Sequence, residues 1–183
     1  MRSIKAEGIV IKRRNIQEAD RILTIFTKYQ GKIQISAKGV RKITSRRGSH
    51  IELLNQVIIG LHQGRHLPIL TEIETLQSFE NIKNELDKVG LAYHICELVD
   101  GLLPEGQENT LIYDLLLTTL QKLEDETDNC LLLVHGFEVE LLAMLGYWQK
   151  DVQSTSVGNL QYFIENILER RLRSRRIFAQ VEK

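Results

Sequence analysis

The hydrophobic period of this chain changes once, close to Phe79, and that change imposes two architectures on one polypeptide. Upstream of it, apolar and polar residues alternate over short runs, the two-residue repeat of strands with one buried face. Downstream they recur at three and four residues, the repeat of helices. Five strands are predicted, at 6–13, 21–28, 32–38, 56–62 and 67–76. Polar or glycine-containing turns separate them, at 14–20, Tyr29-Gln30-Gly31 and Gln63-Gly64-Arg65-His66. Gly60 reads as a bulge, and Pro68 suits the start or edge of a strand. Five short strands within 80 residues predict a small barrel rather than an open α/β sheet. The five-stranded OB-fold is the natural candidate of that class.

Helices are predicted at 82–103, 111–123, 131–145 and 159–178. The first places Leu86, Val89, Tyr93, Cys96 and Val99 on its buried face and stops at Pro104-Glu105-Gly106. The third is apolar over much of its circumference and is expected at the centre of the bundle, with Gly146 as its cap. The fold class is therefore α+β. An N-terminal five-stranded OB-fold β-barrel, residues 1–79, precedes a C-terminal all-α helical domain, residues 80–183.

Charge is divided along the same line. The net charge of zero conceals 13 Lys or Arg against 3 acids in residues 1–50, and 4 against 13 in residues 81–150. Residues 28–47, KYQGKIQISAKGVRKITSRR, concentrate the positive side with seven Lys or Arg and no acid. Lys32, Gln34, Ser36 and Lys38 point one way, and Ile33, Ile35 and Ala37 the other. A basic loop rich in turn formers, residues 39–48, follows and is expected to be a flexible arm. Lys and Arg meet phosphates with geometric tolerance, so a positive strand face beside a positive arm suits a nucleic acid. Lys38, Arg41, Lys42, Arg46 and Arg47 are the predicted phosphate contacts, helped by Lys32 and by Arg13 or Arg21. Lys12, Arg14, Arg65 and His50 extend the patch. Phe26 and Tyr29 are the only aromatic residues among the first 78. Contact through the phosphate backbone should therefore outweigh base stacking, which leaves bases available to pair.

Nothing in the pattern suggests catalysis. No G-x-x-x-x-G-K-[ST], G-x-S-x-G or H-E-x-x-H occurs, so no catalytic residue is assigned and no enzyme is expected. His62 and His66 flank a turn without a carboxylate in register, and His94 and His135 read as packed or surface positions. The acids of the helical half, Glu97 and Glu138 among them, read as solvated helix faces. Cys96 and Cys130 lie outside any C-x-x-C pair and read as buried free thiols, so neither metal nor cofactor is expected. No apolar run approaches the ~18–20 residues of a membrane span, and no signal peptide is recognised. The expected place is the cytoplasm, with no membrane contact.

The segments EGIVIK (7–12), EADRILTIFT (18–27) and AKGVRK (37–42) resemble those of the bacterial recombination mediator family RecO. So do ELVDGLLPE (97–105), FEVELLAMLGY (137–147) and LERRLRSRR (168–176). The matches are collinear and span nearly the whole chain. The resemblance implies an OB-fold followed by helices, and a nucleoid-associated role in recombinational DNA repair. It implies binding of single- and double-stranded DNA, annealing of complementary strands, and work with RecR and single-strand-binding protein to load RecA. Many family members insert a four-cysteine zinc module after the Leu-Gly-Tyr motif. Here a short cysteine-free linker, 148–158, follows, and zinc is not expected. The acidic tail of single-strand-binding protein ends in an apolar residue and needs a notch rimmed by arginine. Arg170, Arg171, Arg173, Arg175 and Arg176 are the candidates for that rim. Other readings of the same barrel are an RNA-binding protein and a protein-interaction adaptor.

Overall fold

A computed structural model describes residues 3–147 and 157–174. Its strands are β1 (Ser3–Ile16), β2 (Asp20–Thr27), β3 (Gly31–Ala37), β4 (Gln56–His62) and β5 (Ile69–Gln77). They close in the order β1-β2-β3-β5-β4. Closure depends on β1, which pairs with β4 through residues 3–9 and with β2 through residues 8–16. A register shift between Val10 and Lys12 bends the strand from one partner to the other. Gly8 sits where both pairings overlap. A Cβ there would lie 2.5 Å from Ile25 Cγ2 and 2.9 Å from the Phe26 carbonyl oxygen, so only glycine permits this approach. The barrel is a five-stranded OB-fold, as the alternation predicts. β1 runs past its expected end because Asn15 and Ile16 pair with Arg21 and Asp20, which draws polar residues into the strand.

The core is formed by inward side chains such as Val10, Leu23, Ile25, Ile35, Ile59 and Leu70. Residues 38–55, between β3 and β4, add to it. Val40, Ile51 and Leu54 are buried, Val10 N–H donates to Asn55 O at 3.0 Å, and Leu54 N–H donates to Val10 O at 2.8 Å. Asn55 Nδ2 donates to the carbonyls of Ser49 and His50. The basic loop is therefore not a flexible arm. It is an ordered run of turns closing one end of the barrel, held by apolar residues spaced too widely to show a period.

The barrel's compact unit comprises Met1–Phe79 together with Leu103–Tyr113. The second piece lies on the outer face of β1, β2 and β3. Gly106 N–H donates to Lys32 O at 2.9 Å, and the Gln34 amide reaches the Glu105 carboxylate. Tyr113 sets its ring 6.0 Å from that of Phe26 and donates its hydroxyl to Glu7 Oε1 at 3.0 Å. Gly31 makes this contact possible. Its φ is +65°, and a Cβ would fall 2.0 Å from Gln107 O.

The second unit comprises Glu80–Leu102 and Asp114–Lys183. The helices of the chain are α1 (Glu80–Asn84), α2 (Leu86–Leu102), α3 (Thr110–Asp125), α4 (Cys130–Met144) and α5 (Val157–Leu168). The predicted first helix is thus two, divided at Glu85. Its central element is α2, not α4: α2 packs against α1, α4 and α5 and buries Leu91, Ile95, Leu98 and Val99. Because α2 is enclosed on several sides, spacing alone misplaces its face, and Leu86 and Tyr93 are exposed. On α4, Leu131 and Leu132 are exposed at its first turn. Gly146 caps α4 as expected, with φ +78° and its N–H on Ala143 O, while Tyr147 N–H donates to Leu142 O. No helix among the described residues is long and apolar enough to cross a membrane.

α5 stops at Leu168 rather than continuing to Phe178, because Glu169 turns to φ +52°. The following residues clasp α2. Glu97 accepts from Arg170 Nη1 at 2.6 Å, from the N–H groups of Arg173 and Ser174 at 3.0 Å each, and from Ser174 Oγ at 2.9 Å. Ser174 Oγ also meets His94 Nδ1 at 2.8 Å, and His94 Nε2 meets Glu138 Oε1 at 2.6 Å. Glu97 and Glu138 are therefore not solvated faces. They are the polar centre of the unit, satisfied by donors far away in sequence.

Two predictions follow from these contacts. Gly31→Ala should destabilise the protein by about 2–4 kcal/mol in urea unfolding, through backbone clash added to left-handed strain. Gly106→Ala, also left-handed at φ +72° but with open space around it, should cost only about 1–2 kcal/mol. The second prediction concerns Glu97. Burial pushes its pKa up, but Arg170 and the donors of Arg173 and Ser174 outweigh this and hold it at about 2, against an ordinary 4.5. A lowered folded pKa stabilises fully above the unfolded value and is lost as pH falls through the folded one. Glu97→Gln should lower stability at neutral pH by about 2 kcal/mol. The difference from wild type, followed by thermal unfolding, should shrink between pH 4.5 and pH 2.

Candidate nucleic-acid interface

The pairing registers sort the cations of the barrel by face. Lys12, Thr24 and Gln34 are aligned across β1, β2 and β3, as are Arg14, Ile22 and Ser36. Arg13 aligns instead with Leu23 and Ile35, and Arg21 with Asn15 and Ala37. That is the inward face, so Arg13 and Arg21 stand at the end of the core rather than on the outer surface. Both meet Glu52, Arg13 through Nη1 on Oε2 and Arg21 through Nη1 at 3.5 Å from Oε1. Arg21 Nε also donates to Asn15 Oδ1 at 3.0 Å. The pair of arginines thus carries one net positive charge. Glu52 lies just beyond the acid-free run, and no periodicity connects it to β1 and β2.

The loop displays the rest. Lys38, Lys42 and Arg46 are exposed, and among the described residues their side chains take no hydrogen bond or ion pair. Arg41 is exposed as well, its Nη1 donating to Gln17 O at 3.2 Å and its N–H to Ala19 O at 3.0 Å. Arg47 is half-buried and ties the loop down, donating from Nη1 to Leu70 O at 2.9 Å and from Nη2 to Lys38 O at 3.0 Å. Carbonyl oxygens are neutral acceptors, so both guanidiniums keep their full charge. Gly39 N–H donates to Asp20 Oδ1 at 2.8 Å, and His50 Nδ1 meets Thr75 Oγ1 at 2.8 Å. His50 is a tether of the loop. The outcome is a small ordered platform bearing Lys38, Arg41, Lys42 and Arg46, with Arg47 beneath them.

Lys32 does not join this platform. It is 6% exposed, because residues 103–113 cover its end of β3, and a buried ammonium does not reach a phosphate on the barrel surface. Aromatic surface is equally restricted. Phe26, Phe79 and Tyr113 are buried, and Tyr29 at the β2–β3 turn is 64% exposed with Lys28 Nζ 5.8 Å from its ring centroid.

The C-terminal arginines divide similarly. Arg170 is engaged by Glu97. Arg171 and Arg173 are exposed, and Arg175 and Arg176 lie outside the described residues. Arg170, Arg171 and Arg173 follow α5 instead of riding on it.

The Ser174–His94–Glu138 order has the donor sequence of a hydrolase triad. The three residues are 4%, 0% and 1% exposed, which leaves a substrate no approach to the hydroxyl. The arrangement is a structural clasp. His135 Nδ1 lies 3.4 Å from Glu138 Oε2 and is buried with no hydrogen-bond partner among the described residues. Cys96 is enclosed, and burial first, then Asp100, pushes its thiol up to about 12, so it stays protonated. Cys130 is half-buried rather than buried.

Comparison with known proteins agrees with this architecture. The family model described as Recombination protein O N terminal matches residues 1–79, and the one described as Recombination protein O C terminal matches residues 83–166. The chain is 38% identical over 141 residues to the DNA repair protein RecO of Symbiobacterium thermophilum, covering 77% of this chain and 56% of that protein. It is 39% identical over 143 residues to the protein of the same name from Dehalococcoides mccartyi, covering 78% and 56%. The likeness to that of a Roseiflexus species is 39% over 146 residues, covering 80% and 51%. The chain thus spans little more than half the length of these relatives. With the two models matched in chain order, one over the barrel and one over the helices, the chain belongs to the RecO family.

Proposed function

We propose that this chain is a non-enzymatic, DNA-binding mediator of recombinational repair that holds strands by their phosphates through the loop at residues 38–48. The observation that carries the reading is the exposure of Lys38, Lys42 and Arg46 on an ordered loop that bears no acid. Pinned cations meet phosphates with less loss of conformational freedom than cations on a mobile arm. The shortage of exposed rings supports backbone holding, under which bases stay available to pair, as annealing requires. The relatives' shared name, DNA repair protein, supports DNA over RNA as the polyanion. On this reading both single- and double-stranded DNA bind. RecR and the tail of single-strand-binding protein are partners, and RecA loading is the outcome. Arg171 and Arg173 are the exposed members of the proposed tail rim.

Binding of a labelled oligonucleotide, titrated against salt, tests the reading. Replacing Lys38, Lys42 and Arg46 with Gln should lower the log–log salt slope by roughly 0.7–0.9 per residue and weaken binding to single strands and duplex alike. Glu52→Gln should act in reverse, strengthening binding by releasing the charge of Arg13 and Arg21. An unchanged slope in the triple variant would remove the loop from the account.

A further inference from the structure

The platform carries one side chain that phosphate contact leaves unexplained. Ile43, near the middle of the loop, is 104% exposed, more than any other large apolar residue described. Its sequence neighbours are Arg41, Lys42, Thr44, Ser45 and Arg46. The loop is not free to fold this side chain away. Val40 is anchored in the core on one side, and Arg47 is tied to Leu70 and Lys38 on the other. Between them Lys42 N–H donates to Gly39 O at 3.3 Å and Ser45 N–H to Lys42 O at 2.9 Å. An aliphatic group is thus held fully in water by an ordered turn, with cations on both sides of it in sequence.

Apolar surface gains by leaving water, and the surrounding charge restricts what takes it up. The occupant must offer anionic groups to Lys42 and Arg46 and an apolar face between them. A nucleic-acid strand does this, because each phosphate is followed by a base with two apolar faces. Aliphatic side chains of DNA-bending proteins insert between the base steps of a duplex and partly unstack them, so an isoleucine is of a size and character to part neighbouring bases. The barrel unit also has few alternatives, since Tyr29 is its only exposed Phe, Tyr or Trp among the described residues. We propose that Ile43 is a wedge that enters between adjacent bases while Lys42 and Arg46 hold the flanking phosphates. This rests on the reading of the loop as a nucleic-acid site and deepens it. A single strand unstacks a step more easily than a paired duplex does, so the wedge favours single strands.

The test uses the full chain and a single-stranded oligonucleotide carrying 2-aminopurine between adenines, whose fluorescence rises when the base is unstacked. Wild type should bind with a rise in fluorescence. Ile43→Ser should bind about tenfold more weakly with an unchanged salt slope and without that rise, while Ile43→Met should retain both. Duplex affinity should change little in either variant. Wild-type affinity and fluorescence in Ile43→Ser would overturn the wedge while leaving phosphate binding intact. Salt-independent binding by wild type would overturn the underlying phosphate reading instead. If Ile43→Ser lost adhesion to phosphatidylserine–phosphatidylcholine vesicles but not to the oligonucleotide, the side chain would be a membrane contact and the wedge would be wrong. The side chain touches solvent on all sides, so the serine variant should fold as wild type does, which its unfolding midpoint verifies.

Discussion

The double pairing of β1 closes the barrel, and the arrangement of the positive loop follows from that closure. One strand serves β4 with its first half and β2 with its second, through a bulge and a glycine that lets the backbones touch. The remaining seam, between β3 and β5, is a parallel contact whose pairing is Ser36 with Ile69, supported by Ser36 N–H on Pro68 O at 2.8 Å. The chain leaving β3 must then travel round the end of the barrel to begin β4. Val40, Ile51 and Leu54 fill that end as it passes, and the turns between them are forced to the surface. The cations are displayed because the apolar residues on either side are not.

The same geometry separates cations that hold the structure from cations that face solvent. Arg13 and Arg21 are matched by Glu52, Arg47 by two carbonyl groups, and Lys32 is covered by residues 103–113. Within residues 28–47 the exposed cations are Lys38, Arg41, Lys42 and Arg46, with the exposed Ile43 among them in sequence. Of the seven cations in the basic run, four are thus exposed on the loop. Fixing Arg47 contributes indirectly, since it holds Lys38 and β5 at the distance that shapes the platform.

Much of the fold was legible because it is local. Alternation marks β2, β3 and β4 closely, Pro104 and Gly106 mark the end of α2, and Gly146 marks the end of α4. What escaped depends on partners distant in sequence. Lys32 alternates as an outward residue should, and only a segment more than 70 residues later buries it. Glu97 and Glu138 fall in helices where acids usually meet water, and their satisfaction comes from Ser174, Arg170 and His94. Glycine, serine and charge dominate the loop and suggest mobility, whereas its order comes from three buried apolar residues together with the tethers of Arg47, His50, Asn55 and Asp20. Ile43 was visible as a residue, but its full exposure was not, since exposure depends on where Val40 and Arg47 are anchored.

Lysine footprinting tests the central claim most directly. The protein is acetylated briefly with and without a single-stranded DNA oligonucleotide, and each lysine is read by mass spectrometry. The account predicts that DNA protects Lys38 and Lys42, while Lys122 on α3 reacts equally in both samples and Lys32 reacts little in either. Equal reactivity of Lys38 and Lys42 with and without bound DNA would contradict it.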